Sequence, residues 1–220
     1  MVLTSHSELG STGEKTGWYL PEVSHPYEEL KDLGYEIEFA SPKGGKAPMD
    51  ESSLDLEDRA NREFLANPLL VAKVENTLKP ELLDAKDYAA IFFAGGHGTM
   101  WDFADNKPLA RLAAAIYEQG GVVSAVCHGP AGLVNVRLND GSYLVAGKKV
   151  AAFTNGEEDE AGMTGVVPFA LESLLRERGA LSQLADNWSE NVAVDGRLVT
   201  GQNPKSAKKV GAEVAKLLKR

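Results

Sequence analysis

The stretch GVVSAVCHGPAGL, residues 121–133, decides how the chain is read. Its first half is a short apolar run opened by glycine, which suits a strand buried on both faces of a parallel sheet. The run leads into the sole cysteine, Cys127, followed by His128, Gly129 and Pro130. Small residues stand two places before and two places after Cys127, the spacing of a strand–turn–helix nucleophile elbow. Such a turn is sharp and its nucleophile's backbone strained, so bulky neighbours do not fit. Residues 129–135 read as a helical segment, and its N-terminal dipole predicts an acidic Cys127 thiol. A lone cysteine also serves as an inert core thiol. The histidine and glycine beside this one favour the nucleophile.

Outward from this stretch, strand and helix patterns alternate. Residues 2–4 read as the end of a first strand, 35–40 alternate like a second, and 88–94 form another buried apolar run. Residues 22–33 read as a helix stopped by Gly34, with Pro26 in its first turn. Residues 56–78 are helical in parts and broken near Pro68. Residues 108–119 place Leu109, Leu112, Ala113 and Ile116 on one helical stripe. Residues 149–154 read as a strand, 168–178 as a helix closed by Gly179, 191–200 as a hairpin about Asp195-Gly196, and 204–218 as the last helix. The pattern predicts an α/β fold: a flavodoxin-like parallel sheet with helices on both faces, in one domain over 1–220, with a small cap insertion at about 42–80.

The bulk composition narrows the function classes. The 220 residues include one cysteine, which excludes an internal disulfide and any zinc site built of several cysteines. No run approaches a membrane span, and the start lacks the basic and apolar regions of a signal peptide, so the expected location is cytoplasmic. A net charge of −9 disfavours nucleic acid. The one candidate basic patch, Lys205, Lys208, Lys209, Lys216, Lys219 and Arg220, reads more simply as cations near a helix C-terminus.

Two strand ends carry the candidate chemistry, as expected of an open α/β sheet. One is AVCHGP. The other is AGGHGTMWDF, residues 94–103, whose glycines leave backbone N–H groups free to hold an anion. The only histidines are His6, His25, His97 and His128, and none follows 128. That excludes the α/β-hydrolase order and the late histidine of class I glutamine amidotransferases. The base is His128 itself or a histidine upstream, with His6 and His25 read as surface residues. Too few candidates at suitable spacing remain for a metal site, so none is expected.

At this point the chain resembles the DJ-1/ThiJ/PfpI superfamily, whose fold is that of class I glutamine amidotransferases, and within it the Hsp31-like, glutathione-independent glyoxalases. The motifs that carry the resemblance are TGWYLPEVSHPY, GYEIEFASPKGG, IFFAGGHGTMWDF, AVCHGPAGL, FTNGEEDE and DGRLVTGQNP. It implies Cys127 as nucleophile, His128 as its base, and Glu22 as a protonated carboxyl beside the sulfur. It implies Glu158 as third member of the triad, ahead of Glu157 and Asp159; without the family, these acids are a solvated charge run. Backbone N–H groups of Gly96 and His128 would form the oxyanion hole, and Trp18, Met100 and Trp101 would wall the pocket. One departure is PEV at 21–23, where the family more often has two acids before an apolar residue.

The activity implied is cofactor-free conversion of a small 2-oxoaldehyde, methylglyoxal, to lactate, in a homodimer. Cys127 adds to the aldehyde, a proton moves between the two substrate carbons through an enediol, and the thioester is hydrolysed. The alternatives are a cysteine peptidase or amidohydrolase, and a holdase chaperone whose Cys127 senses oxidants.

Overall fold

A computed structural model describes residues 1–219; Arg220 of the basic patch lies outside them. In chain order the helices are α1 (Pro21–Leu30), α2 (Arg59–Ala66), α3 (Pro68–Glu75), α4 (Thr99–Asp102), α5 (Lys107–Glu118), α6 (Asn155–Glu160), α7 (Leu171–Glu177) and α8 (Ala207–Leu218). The strands are β1 (Ala90–Phe93), β2 (Val122–Val126), β3 (Lys149–Val150), β4 (Leu181–Ser182), β5 (Val192–Asp195) and β6 (Leu198–Gly201).

The central sheet runs β1-β2-β6-β5, with β1, β2 and β6 parallel and β5 antiparallel to β6. Beyond β1 the sheet continues by single parallel bridges, Phe93 to Val2, Val2 to Ala40 and Ala40 to Leu78. The strands expected at 2–4 and 35–40 are therefore present as sheet positions without regular ladders. β3 and β4 form a separate parallel pair.

Period-2 alternation divides the interior into two cores. Ile91, Phe93, Val123, Ala125 and Leu198 face a cluster containing Leu109, Leu112, Ala113 and Ile116 of α5, the stripe read from the sequence. Phe92, Ala94, Val122, Val126 and Val199 face the other side, with Val23 and Leu30 of α1 and Val210 and Val214 of α8. Both faces of the sheet are thus covered by helices, which is why its strands read as continuous apolar runs. Phe93 is fully buried and meets Phe103 edge-on at 5.6 Å. Burying each such ring contributes about 2–3 kcal/mol.

Several boundaries differ from expectation. Pro26 lies in the second turn of α1 and deprives the Glu22 carbonyl of its helical partner. The segment after Cys127 is a five-residue 3-10 helix, Gly129–Leu133, rather than an α-helix. The 42–80 insertion holds α2 and α3, broken at Pro68 as expected, and packs beside α1. Ser24 Oγ bonds Asn61, and Ser53 Oγ accepts the Leu20 N–H at 3.0 Å. The C-terminal lysines are partly neutralised: Lys209 pairs with Glu190 and Lys216 with Glu213, which fits the solvated-cation reading.

Candidate active site

The sequence places a nucleophile candidate at the carboxyl end of β2, between the ends of β1 and β6. Cys127 has φ +59°, the strained left-handed backbone an elbow requires. The turn is pinned from both sides: the Cys127 N–H donates to Gly201 O and its carbonyl accepts from Phe153 N–H, both at 2.9 Å. The residue is buried, 4 % exposed.

His128 follows the strained residue and turns inward. Its Nδ1 lies 3.4 Å from Cys127 Sγ and its Nε2 2.8 Å from Glu158 Oε2. Burial, then the nearby His97, lowers the His128 pKa to about 4, so the ring is neutral at pH 7. Burial alone would raise the Glu158 carboxyl, but hydrogen bonds from His128 and His97 more than offset it and hold it at about 2. An ionised Glu158 only accepts, which puts the His128 proton on Nε2 and leaves the Nδ1 lone pair facing the sulfur.

The acid run FTNGEEDE is resolved by a helix start. Thr154 caps α6 in a capping box with Glu157, the third residue of the helix. Glu157 is fully buried: Oε2 accepts from Thr154, and Oε1 accepts from Trp188 N, Gln202 Nε2 and Asn203 Nδ2. One residue on, Glu158 is rotated toward His128, while Asp159 is exposed. Two of these acids are thus interior, one anchoring the loops and one facing the imidazole. Glu157→Gln should therefore cost at least about 2 kcal/mol of stability. Glu158→Gln should cost little stability and most of the turnover, and Asp159→Asn neither. Urea midpoints and rates for the three variants check this; a Glu158→Gln enzyme with wild-type rates would remove Glu158 from the triad.

Glu22 enters from the second residue of α1, where Pro21 suits the first helical position. It is fully buried beside Cys127, and its Oε2 accepts the Gly95 N–H at 2.8 Å. Oε1 has no hydrogen-bond partner by geometry. Burial raises the pKa to about 8, against smaller lowering by Cys127 and Gly95, so the carboxyl is neutral at pH 7. With Oε2 accepting, Oε1 is the atom that carries the proton. Gly95 is required here, because an added Cβ would lie 2.9 Å from Cys127 Cβ and run into Glu22.

The acidic thiol expected from a helix dipole is corrected. Burial pushes the Cys127 thiol well up, and a charged Glu22 would add to that. The N–H groups of His128 and Gly96, directed at the sulfur, act the other way. The 3-10 turn that follows is too short for a substantial dipole. At neutral pH Glu22 keeps its proton and its repulsion is absent, and the lone pair facing the sulfur is that of His128 Nδ1. The two N–H groups are those expected at the oxyanion hole. Gly96 reaches its position at φ +98°, backbone that favours glycine.

Of the expected pocket walls, Trp18 lies in the same buried cluster as Cys127, and Met100 and Trp101 lie toward the α5-side core. Trp18 is 2 % exposed, donates Nε1–H to Ala47 O and packs on Phe64. Met100 is buried in the α5-side core, and Trp101 stacks on His6 at 5.0 Å. Three further residues bear on the site. The Tyr19 phenol is near enough to Glu22 and Cys127 that, after burial, their charges raise its pKa. The Phe153 ring lies 4.2 Å from that of His128. His97 donates Nε2–H to Glu158 Oε1 at 2.9 Å, its ring 4.2 Å from His128. The signal for His97 was elimination: it is the one upstream histidine not read as a surface residue, on the GGHG loop at a strand end. No metal site was expected; among the described residues, His97, His128 and Glu158 offer ligand atoms all within 4.8 Å of one another. His6 and His25 lie elsewhere, bonded to Glu8 O and Asp58.

A strained cysteine at the end of a central parallel strand, with imidazole and carboxylate in line behind it, defines an α/β protein of the cysteine-elbow class. A model of the DJ-1/PfpI family matches residues 17–217, and the chain belongs to that family. It is 37% identical to glyoxalase 3 of Candida albicans, covering 97% of this chain and 95% of the relative. It is 36% identical to a glutathione-independent glyoxalase of Saccharomyces cerevisiae, over 94% and 92%. Among solved structures, the 24 kDa rapid encystment protein of Francisella tularensis superposes with TM-score 0.95 at 41% identity, covering 99% and 97%. Glyoxalase III of Candida albicans superposes with TM-score 0.90 at 36% identity, covering 98% and 95%. Among the described residues, no helix is long and apolar enough to cross a membrane.

Proposed function

We propose that this protein is a glutathione-independent glyoxalase that converts methylglyoxal to lactate at Cys127. The observation that carries the reading is the line Cys127 Sγ–His128 Nδ1, His128 Nε2–Glu158, set beside a carboxyl whose pKa of about 8 brackets neutral pH. The likeness to two named glyoxalases over nearly the full chain supports it.

The reaction is redox-neutral overall. The thiol proton passes to His128 Nδ1 as sulfur bonds to the aldehyde carbon. The developing oxyanion meets the Gly96 and His128 N–H groups and takes the proton back, giving a hemithioacetal. A base then removes the hydrogen on that carbon, and a proton is delivered to the former ketone carbon through an enediol. Glu22 fits this step, because a group titrating near neutral pH can both give and take a proton. Water cleaves the resulting thioester, releasing lactate and the thiol. Glu158 keeps the His128 tautomer, and His97 steadies Glu158. A nucleophile on a residue only 4 % exposed suits a small aldehyde better than a polypeptide, which favours this reading over a peptidase. The 42–80 segment, which buttresses Leu20 two residues from Glu22, would screen the site from bulk water.

The test is purified protein incubated with methylglyoxal without glutathione, followed by lactate assay. Catalytic lactate formation is expected. Methylglyoxal loss without lactate, at one equivalent per chain, would mean that the thiol merely scavenges the aldehyde.

A further inference from the structure

The triad's back face holds a second chemistry. Nε2 of His97, Nε2 of His128 and the two Glu158 oxygens converge, with N–O separations of 2.9 and 2.8 Å. Around a tetrahedral zinc ion, ligand atoms stand roughly 3.3 Å apart. An opening of about half an ångström between carboxylate and imidazoles, with the two Nε2 atoms, which lie within 4.8 Å of each other, set at the same spacing, would admit the ion. Two imidazoles and one carboxylate with an open fourth position is a donor set that suits Zn2+ over the oxygen-seeking Mg2+ and Ca2+. His97 is 22% exposed and gives a way in, and the chain's net charge of −9 favours cation uptake. Cys127 is not part of the set, since its sulfur meets the opposite nitrogen of the His128 ring.

We propose that His97, His128 and Glu158 form a zinc site whose occupancy switches the nucleophile off. Zinc takes the Nε2 lone pair of His128. The neutral ring keeps one proton, which moves from Nε2 to Nδ1, so no proton is gained or lost by the ring; at His97 the Nε2 hydrogen donated to Glu158 likewise gives way to the ion, and the ring carries its proton on Nδ1. Nδ1 then carries hydrogen toward Cys127 and has no lone pair to receive the thiol proton. The same ion draws Glu158 away from its role as acceptor. Inhibition rests on the reaction proposed above; binding does not.

The experiment uses the full chain, stripped with EDTA and desalted. Zn2+ is titrated by calorimetry against a competing chelator, and Co2+ is followed by visible absorption. One ion per chain is expected, with nitrogen–oxygen ligand-field bands and no sulfur-to-cobalt charge transfer. Affinity should be unchanged in Cys127→Ala and weakened at least ~100-fold in His97→Gln. Glu158→Gln, which keeps the side-chain size, gives a second ligand loss, and circular dichroism checks that both variants are folded. Turnover should fall in proportion to zinc occupancy and return with chelator. Absence of binding, wild-type affinity in both ligand variants, or a cobalt spectrum that depends on Cys127 would each overturn the site. Activation by zinc would overturn the switch. If no lactate forms under any condition, the glyoxalase reading fails while the binding result stands by itself.

Discussion

Cys127→Ala should lower lactate formation from methylglyoxal by at least about 10,000-fold while leaving the protein folded, because removing a covalent nucleophile leaves only binding and oxyanion contacts. Alanine keeps the Cβ, so the strained backbone at φ +59° is no worse occupied than before. The lost sulfur leaves a small void beside Glu22 and costs on the order of 1 kcal/mol. A urea midpoint close to wild type, together with loss of lactate, assigns the activity to this thiol. Cys127→Ser separates geometry from nucleophilicity: it fills the same space with a far weaker nucleophile and should be nearly as inactive. Retention of more than a few per cent of wild-type turnover by either variant would place the chemistry elsewhere.

Glu22→Gln should lose at least ~100-fold in turnover, the scale of a general acid–base, and should become more stable than wild type as pH rises. The sign follows from the proton balance. In the unfolded chain Glu22 titrates near 4.5, and in the folded protein at about 8. Between these values the folded state holds a proton that the unfolded state has lost, so wild-type stability carried by this group is full below 4.5 and falls as pH rises toward 8. Glutamine does not titrate and keeps an oxygen to accept the Gly95 N–H. The stability difference, variant minus wild type, should therefore be small near pH 4.5 and grow to on the order of 5 kcal/mol by pH 8, then level off. Urea titrations of both proteins across that range measure it, and other titrating groups cancel in the difference. A difference independent of pH would mean that Glu22 is ionised in the folded protein. A flat difference with full turnover would leave proton movement to His128 alone.

Stability at a site built for function is given up in just this way: a buried carboxyl costs free energy at neutral pH and supplies a proton where the substrate needs one. His128 and Glu158 have the opposite sign. Burial and His97 hold His128 at about 4, against the pull of Glu158, and hydrogen bonds from the two imidazoles hold Glu158 at about 2, so their contribution is present above about pH 6.5 and 4.5 respectively and is lost as pH falls through the folded values.

The sequence by itself determined the alternation of buried strands and amphipathic helices, the hairpin at Asp195-Gly196, the break at Pro68 and the elbow at Cys127. All of these are local: period, glycine and proline placement, and a small-residue spacing are legible within a dozen residues. The resemblance carried Glu22 and Glu158, which lie 105 and 31 positions from Cys127 and have no local signature. Only the tertiary structure decided the rest. It separated Glu157 from Glu158, because one residue of helical rotation after the Thr154 cap sends one carboxylate into the loops and the other to the imidazole. It set Trp18 in the core that also holds Cys127 and Met100 in the other, since sequence shows that a side chain is apolar but not which side of the sheet it fills. It brought His97 to Glu158 across 61 positions, because parallel strands β1 and β2 set their carboxyl ends side by side and the Phe153 N–H to Cys127 O bond holds the start of α6 against the same edge. And it replaced a dipole-activated thiol by a buried one, because the proton equilibrium of Cys127 depends on what surrounds the sulfur in three dimensions, and those groups come from α1, the two strand ends and α6.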